Sequence, residues 1–219
     1  MGANLSGAKL EGANLDDAGL IEANLSKANL KGASMNGAFS WDVNLTGAYL
    51  HGAYLRGIYL ERAKLNAATL DRADLSESSL VEADLSESRL VETNLSRANL
   101  ELTNLSKGDL RGSNLSGAVL KGTDLNGANL WGAILTGATG WTTKQLDRAM
   151  PLGRAIMPDG IKLGAYGSNY PTPVDGPTFE EWKAQYLAQH EAESAQNESD
   201  RKMDDKADEQ MESGSPRPT

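Results

Sequence analysis

The chain has 219 residues, enough for one or two domains, yet Phe, Trp and Tyr together make up only 5% of it. A conventional core packed around aromatic side chains is therefore not expected. Cys is absent, and the only two histidines, His51 and His190, stand far apart in the sequence. This composition excludes disulfides and disfavours a zinc site or imidazole-based catalysis, so we expect no metal, no cofactor and no enzyme activity.

The net charge of −9 is concentrated near the C-terminus. Residues 177–219 hold 11 acids and 5 bases, a balance of −6, which leaves −3 for residues 1–176. Such a surface has no cluster of basic residues that could bind nucleic acid or an anionic membrane. The first residues show no signal-peptide pattern, and no run of 18 apolar residues occurs, so we expect a cytoplasmic protein without direct membrane insertion.

A repeat of five residues runs along most of the chain. From Leu5 to Leu135 every fifth residue, which we call the centre, is Leu at 25 of 27 positions, and the exceptions are Met35 and Ser40. Two residues before each centre stands a small side chain, from Ala3 to Ala138. Only two of these small positions hold a larger residue, Val43 and Ile58.

A period of five fits neither regular structure. On an α-helix, leucines five apart would step by roughly 140° and spread over every face. On a straight strand an odd spacing would send successive leucines to opposite faces. The chain must therefore turn within each unit, and Gly stands two residues after the centre at 13 of 27 positions.

The units read A-(N/D)-L-x-x, as in residues 3–7 and 23–27, and they resemble those of the pentapeptide repeat family over residues 3–139 without an insertion. The resemblance implies an all-β solenoid, a right-handed quadrilateral β-helix in which four units form one square coil. Leu would point inward from each face beside the small residue. We expect about seven coils, and a strand spacing of ~4.8 Å then gives a stem of roughly 30–35 Å.

Two zones interrupt the pattern on the outside of the stem. Aromatic residues gather at outward positions of residues 39–59. We expect Phe39 or Trp41 to turn inward in place of the leucine missing at Ser40, with an exposed partner-binding patch as the alternative. Residues 61–107 lack Gly at the turn position, and there Glu77, Glu82, Glu87 and Glu92 step by five around the coil. We expect a solvated acidic collar, with a dedicated electrostatic surface as the alternative.

Three segments follow from these patterns. Residues 1–140 form the β-helix. Residues 141–176 hold a short capping helix through Ala149, which Thr142 or Thr143 caps and whose Leu146 and Met150 fold over the last coil, and then an irregular extension. Residues 177–219 hold an amphipathic tail helix, which Thr178 caps, and a charged segment that we expect to be disordered. Similar endings are common in cyanobacterial members of the family, which suggests such a source.

We expect a non-catalytic scaffold that binds partner proteins through a rigid rod. The alternative is DNA mimicry, since the quinolone-resistance branch of the family resembles a B-DNA rod and acts on DNA gyrase. Against it, the centres here are aliphatic apart from Ser40, and the stem carries a net charge of only −3. A homodimer could form through an uncapped N-terminal coil or through the tail helix. The predicted binding residues are Phe39, Trp41, Tyr49, Tyr54, Tyr59, Phe179, Trp182 and Tyr186.

Overall fold

The structure is a computed structural model, and it describes residues 2–149, 151–167, 170–174 and 176–191. The described chain divides into two compact units, of which the first runs to Thr178 and the second begins at Phe179. Four helices and strands of more than one residue follow the repeats. They are α1 (Thr143–Arg148), β1 (Ala165–Gly167), β2 (Tyr170–Val174) and α2 (residues 179–191).

The repeats form a solenoid in which each residue that precedes a centre pairs, in parallel, with its equivalent four units later. These bridges continue from Asn4↔Asn24 to Val119↔Thr139, and they step by five residues around the coil, which makes four ladders. Each ladder receives a single bridging residue from each coil, because the chain turns immediately after the centre. The stem is therefore built from isolated bridges and contains no long strands.

The hydrogen bonds of one unit account for the consensus. The Leu5 carbonyl accepts from the Ala8 amide at 3.0 Å and closes the turn, while the amides of Leu5 and Gly7 donate to carbonyls of the next coil at 2.7 and 2.8 Å. The amide before the centre bonds to the preceding coil, as that of Asn24 does to the Ala3 carbonyl. The amide of Ser6 donates to Oδ1 of Asn4 at 3.2 Å. Asn or Asp before the centre thus satisfies the one backbone donor that the neighbouring coil leaves unpaired.

The residue two positions after each centre lies in the left-handed region throughout the stem. Its φ is positive in all units from Gly7 to Gly137, between 55° at Glu22 and 69° at Gly137. Ten successive residues with a Cβ adopt this conformation, from Arg62 to Lys107. Each carries strain on the order of 1 kcal/mol relative to glycine, and the hydrogen bonds between coils hold it in place.

The centres and the small residues form the core. All are buried from Leu20 onward, whereas Leu5, Leu10 and Leu15 of the first coil are partly exposed. Where Thr occupies the small position its hydroxyl is buried, and it donates to a leucine carbonyl of the preceding coil at 2.7 Å. The three such residues are Thr93, Thr103 and Thr123.

The expectation that Phe39 or Trp41 turns inward at Ser40 is wrong. Ser40 itself occupies the centre, fully buried, and its hydroxyl has no hydrogen-bond partner. Two small positions in this part of the stem hold the larger Val43 and Ile58, which are also fully buried and add side-chain volume to the core there. Val43 is the residue whose amide bonds to the Ser40 carbonyl, at 3.2 Å, and Ile58 follows Ala38 by one coil.

Helix α1 begins where the sequence predicts it. The side chain of Thr142 accepts from the Gln145 amide, and Leu146 is fully buried. The Gln145 side-chain amide donates to the carbonyls of Leu120 and Thr123 at 2.9 Å each, which satisfies two acceptors of the stem. Met150, the other residue predicted to cover the last coil, lies outside the described residues.

Residues 151–158 are more regular than the predicted irregular extension. The amides of Leu130 and Leu135 donate to the carbonyls of Pro151 and Ile156, just as centre amides donate to the next coil elsewhere in the stem. Each acceptor lies two positions later in the sequence than the regular register would place it. The segment with α1 therefore inserts two residues, and the chain then pairs with the last coil again. Met157 and Leu163 are buried in this continuation.

Beyond it the chain turns back on itself. Ile156 forms an antiparallel bridge with Lys162, and β1 pairs with β2 in a two-stranded antiparallel sheet that joins Ala165 to Val174. The second unit is described as far as the end of α2, the helix at positions 179–191. Disorder is predicted beyond His190; Glu191 is still part of α2, and the rest of that segment lies outside the described residues.

The buried leucine core predicts that the loss of stability caused by an inward charge depends strongly on the position of that charge along the stem. Leu85 is fully buried in mid-stem, so Leu85→Asp should lower the free energy of unfolding by about 3–5 kcal/mol, because an unpaired carboxylate would lose its hydration. Leu5→Asp is the control, since Leu5 is partly exposed, and it should cost much less. Urea denaturation measures both, and equal losses would contradict a continuous core.

The packing around Ser40 predicts coupled substitutions. Ile58→Ala alone should lower the free energy of unfolding by about 2–4 kcal/mol, because it leaves a void beside a serine. Ser40→Leu should stabilise the Ile58→Ala protein but not the wild-type protein, where the space is already filled. A double-mutant cycle by urea denaturation tests this coupling, and the same effect of Ser40→Leu in both backgrounds would refute it.

Candidate interaction surface

The register separates the five aromatic residues predicted to form one band. Phe39 and Tyr59 are bridge partners on one ladder, and Trp41 follows Phe39 by two residues on the same side of the coil. Tyr49 lies on the ladder of Asn29 and Thr69, and Tyr54 lies on that of Ser34 and Asp74. The band is therefore a three-residue aromatic cluster, Phe39, Trp41 and Tyr59, with two separate tyrosines on other ladders.

The three rings of the aromatic cluster contact one another on the outside of the stem. The rings of Phe39 and Tyr59 are stacked, with centroids 5.4 Å apart and planes 3° from parallel. The Trp41 indole is tilted against both, at 5.8 Å from Phe39 and 6.1 Å from Tyr59. Phe39 and Tyr59 remain 41% and 40% exposed, so the cluster is an apolar surface open to solvent.

Two neighbours extend this surface. Ile21, which is 45% exposed, precedes Trp41 by one coil, and Glu61 follows it by one coil. Glu61 is the residue that sequence reasoning missed: its Oε2 is buried and has no hydrogen-bond partner. Its place one coil after Trp41 was readable from the repeat, but only the structure reveals that its Oε2 is buried without a hydrogen-bond donor.

Tyr49 borders a shallow groove on its own ladder. The groove has a volume of about 580 Å³, and lysines dominate its polar lining. Lys31 is paired with Glu11 at 3.2 Å. The remaining lining residues are Gly7, Lys9, Lys27, Asn29 and His51.

The acidic collar is largely neutralised by ion pairs between coils. Glu92 pairs with Arg72 at 2.8 Å and Glu87 with Lys107 at 3.1 Å, in each case across one coil. Glu77 contacts Arg56 at 3.1 Å. These pairs favour the predicted solvated collar over a dedicated electrostatic surface, because their opposite charges cancel within a few ångströms.

Similar pairs perturb the ionisation of other surface carboxylates. The hydrogen bonds from Arg62 hold the pKa of Asp42 below its usual range, and those from Arg111 do the same for the pKa of Asp109. For Asp16 the pKa is lowered mainly by the Ser34 hydroxyl. A lowered pKa means that these contacts are present at neutral pH and are lost only on acidification below the usual aspartate range.

The predicted residues of the tail helix are placed differently from those of the stem. In α2 the Trp182 ring stacks between Phe179, at 5.6 Å, and Tyr186, at 5.2 Å. Phe179 and Trp182 are buried and Tyr186 is half-buried, while Leu187 is 40% exposed. Because Phe179 and Trp182 are buried, their side chains are not available to a partner protein in this conformation.

Other kinds of site are not found in the described part of the chain. No group of three or more His, Asp or Glu side chains lies close enough to hold a metal ion there. His190 Nδ1 lies 2.9 Å from the Tyr186 carbonyl, within its own helix. Among the described helices none is both long and apolar enough to cross a membrane.

Comparison with solved structures finds the same fold. A trypsin-treated variant of QnrB1, a plasmid-mediated fluoroquinolone resistance protein, is 16% identical, with a TM-score of 0.69 over 87% of this chain and 93% of that chain. Rfr23, a pentapeptide repeat protein from the cyanobacterium Cyanothece 51142, is 46% identical over 35% of this chain and 52% of its own, with a TM-score of 0.35.

HetL, a pentapeptide repeat protein involved in heterocyst differentiation regulation from the cyanobacterium Nostoc sp. strain PCC 7120, is 31% identical over 73% of this chain and 87% of its own, with a TM-score of 0.24. No curated protein matches the sequence.

The family comparison agrees with the register of the coils. Pentapeptide repeats match in eight copies over residues 1–37, 44–80, 78–117 and 113–139, which is more than half of the chain. This match and the similarity to QnrB1 imply a right-handed quadrilateral β-helix. The chain therefore belongs to the pentapeptide repeat family.

Proposed function

We propose that this protein is a non-catalytic scaffold that binds a partner protein through the aromatic cluster of Phe39, Trp41 and Tyr59. The observation that supports the proposal is the exposure of two stacked rings, with a half-buried indole against them, on the outside of the stem. Tyr and Trp are enriched at protein interfaces because they bury a large area with little loss of side-chain freedom. Ile21 enlarges the same apolar surface.

The proposal includes the architecture that presents this surface. In this proposal the stem has about seven coils, which agrees with a ladder that continues to Thr139. Helix α1 is the cap of the last coil. Together with residues 151–158, which pair with the backbone of the last coil, such a cap protects the last leucines from association with other chains. The hydrogen bonds from Gln145 to two stem carbonyls and the burial of Leu146 support that role for α1.

The proposal also includes a second copy as an alternative partner. Leu5, Leu10 and Leu15 are partly exposed in the first coil, so a homodimer through this end would bury apolar surface. In α2 the exposed Leu187 is the residue best placed for the other predicted dimer contact.

Substitution of the cluster should weaken partner binding without loss of stability. We expect the double variant Phe39→Ser, Tyr59→Ser to keep nearly the wild-type melting temperature, because both rings point away from the leucine core. Quantitative pull-down of partners from cells of the source organism should fall about tenfold or more, as expected for loss of central aromatic contacts.

The matched control is Tyr49→Ser, Tyr54→Ser, which removes two rings that are more exposed, at 57% each, from other ladders. It should retain the partner. If both double variants bind equally well, with the oligomeric state unchanged in light scattering, the cluster is ordinary surface.

The second candidate function is DNA mimicry with action on DNA gyrase, and the similarity to the fold of QnrB1 favours it. A DNA mimic needs a continuous row of unpaired negative charge along one face. Here Glu87 and Glu92 are paired with bases, and the collar winds around the coil. We therefore place this function second to the scaffold.

Supercoiling assays separate the two functions. Purified gyrase should retain full activity when this protein is titrated to micromolar concentration, because its paired acids present little of the potential of DNA. A dose-dependent loss of supercoiling would overturn the ranking. If substitution of Glu77, Glu82 and Glu87 by Gln then restored activity, the collar would be the mimetic surface.

A further inference from the structure

Glu61 is the unusual carboxylate of the stem. Its Oε2 is shielded from solvent, yet no donor reaches it. Buried carboxylate oxygens are normally hydrogen-bonded, since removal of their hydration costs several kcal/mol otherwise. Glu61 as a whole is only half-buried, so a rotation of its side chain would present this acceptor to a donor from outside the chain.

The cations nearest in register are already engaged. Arg62, the next residue, makes a two-pronged contact with Asp42 at 2.9 and 2.7 Å. Lys121 occupies the same position as Glu61 three coils later, and it pairs with Glu101 at 2.9 Å. Neither base can move to Glu61 without leaving another carboxylate unpaired.

The aromatic cluster next to Glu61 has an uncovered ring face. Tyr59 lies two residues before Glu61 on the same side of the coil and is stacked on Phe39 by one face. The residue that follows Tyr59 on its ladder is Ser79, whose side chain is too short to cover the other face. A planar cation stacked on this face of Tyr59 would lie beside the coil position of Glu61, two residues further along the chain.

We propose that the aromatic cluster and Glu61 bind an arginine side chain of the partner protein, with the guanidinium stacked on Tyr59 and donating to Glu61. This inference rests on the proposed function and names the chemistry of its partner. Arginine fits better than lysine, because its planar guanidinium stacks on aromatic rings and donates several hydrogen bonds in its own plane. A lysine ammonium is more strongly hydrated and presents no flat face.

The test is a titration of the full-length protein with Nα-acetyl-arginine methylamide, followed by two-dimensional NMR of the Trp41 indole N–H. The lysine derivative keeps the charge, and the citrulline derivative keeps the shape without the charge. We expect a saturable shift with arginine, binding weaker by about fivefold with lysine, and none with citrulline. Choline is a further probe, and tighter binding of choline than of arginine would overturn the proposal in favour of a quaternary ammonium ligand.

Two variants assign the binding to its residues. Glu61→Gln should weaken arginine binding by about fivefold, because a neutral amide replaces the charge-assisted acceptor. The matched control is Glu87→Gln, an acid paired with Lys107 on another part of the stem, and it should leave the titration unchanged. Equal titrations of wild type and Glu61→Gln, or equal binding of all three amino-acid derivatives, would refute the arginine site.

These outcomes remain separate from those of the proposed function. If the Phe39→Ser, Tyr59→Ser variant loses its partner while arginine binds no better than citrulline, the interaction surface stands and the arginine assignment fails. If arginine binds as expected but that variant retains every partner, the site exists and the proposed interaction surface fails.

Discussion

The left-handed turn after each centre is the constraint on which the rest of the structure depends. It bends the chain once in every unit, and it directs each Leu inward while four successive units close one coil. Glycine adopts this conformation freely, but ten successive units from Arg62 to Lys107 do so with a Cβ. The hydrogen bonds to neighbouring coils must therefore compensate the strain throughout mid-stem.

Because each coil has a fixed number of inward positions, a smaller side chain at one position must be compensated by a larger side chain at a neighbouring one. Ser40 takes the place of a leucine, and the larger Val43 and Ile58 occupy positions that are otherwise small. The interior thus preserves its volume while one unit departs from the repeat. Aromatic side chains in this unit remain outside, where the rings of Phe39 and Tyr59 stack between successive coils.

The same regularity organises the surface. Equivalent residues of successive coils lie side by side, so acids and bases placed at that spacing neutralise one another, as Asp42 and Arg62 do. Most of the described acidic collar is paired in this way. Glu61, which lies outside this collar, has an Oε2 that is buried without a hydrogen-bond donor, next to the aromatic cluster of the described stem. Function is therefore expected where the periodic pairing is interrupted.

The sequence by itself determined that the chain turns within every unit, because a period of five fits neither a helix nor a straight strand. The coil of four units with inward leucines was implied by the resemblance to the pentapeptide repeat family. It also narrowed the start of α1 to Thr142 or Thr143, and the N-cap is Thr142. Only the tertiary structure decided that Ser40 faces inward, that the residues after α1 pair with the last coil, and that Glu61 lacks a donor. These features depend on side-chain packing and on contacts between coils, which local periodicity does not encode.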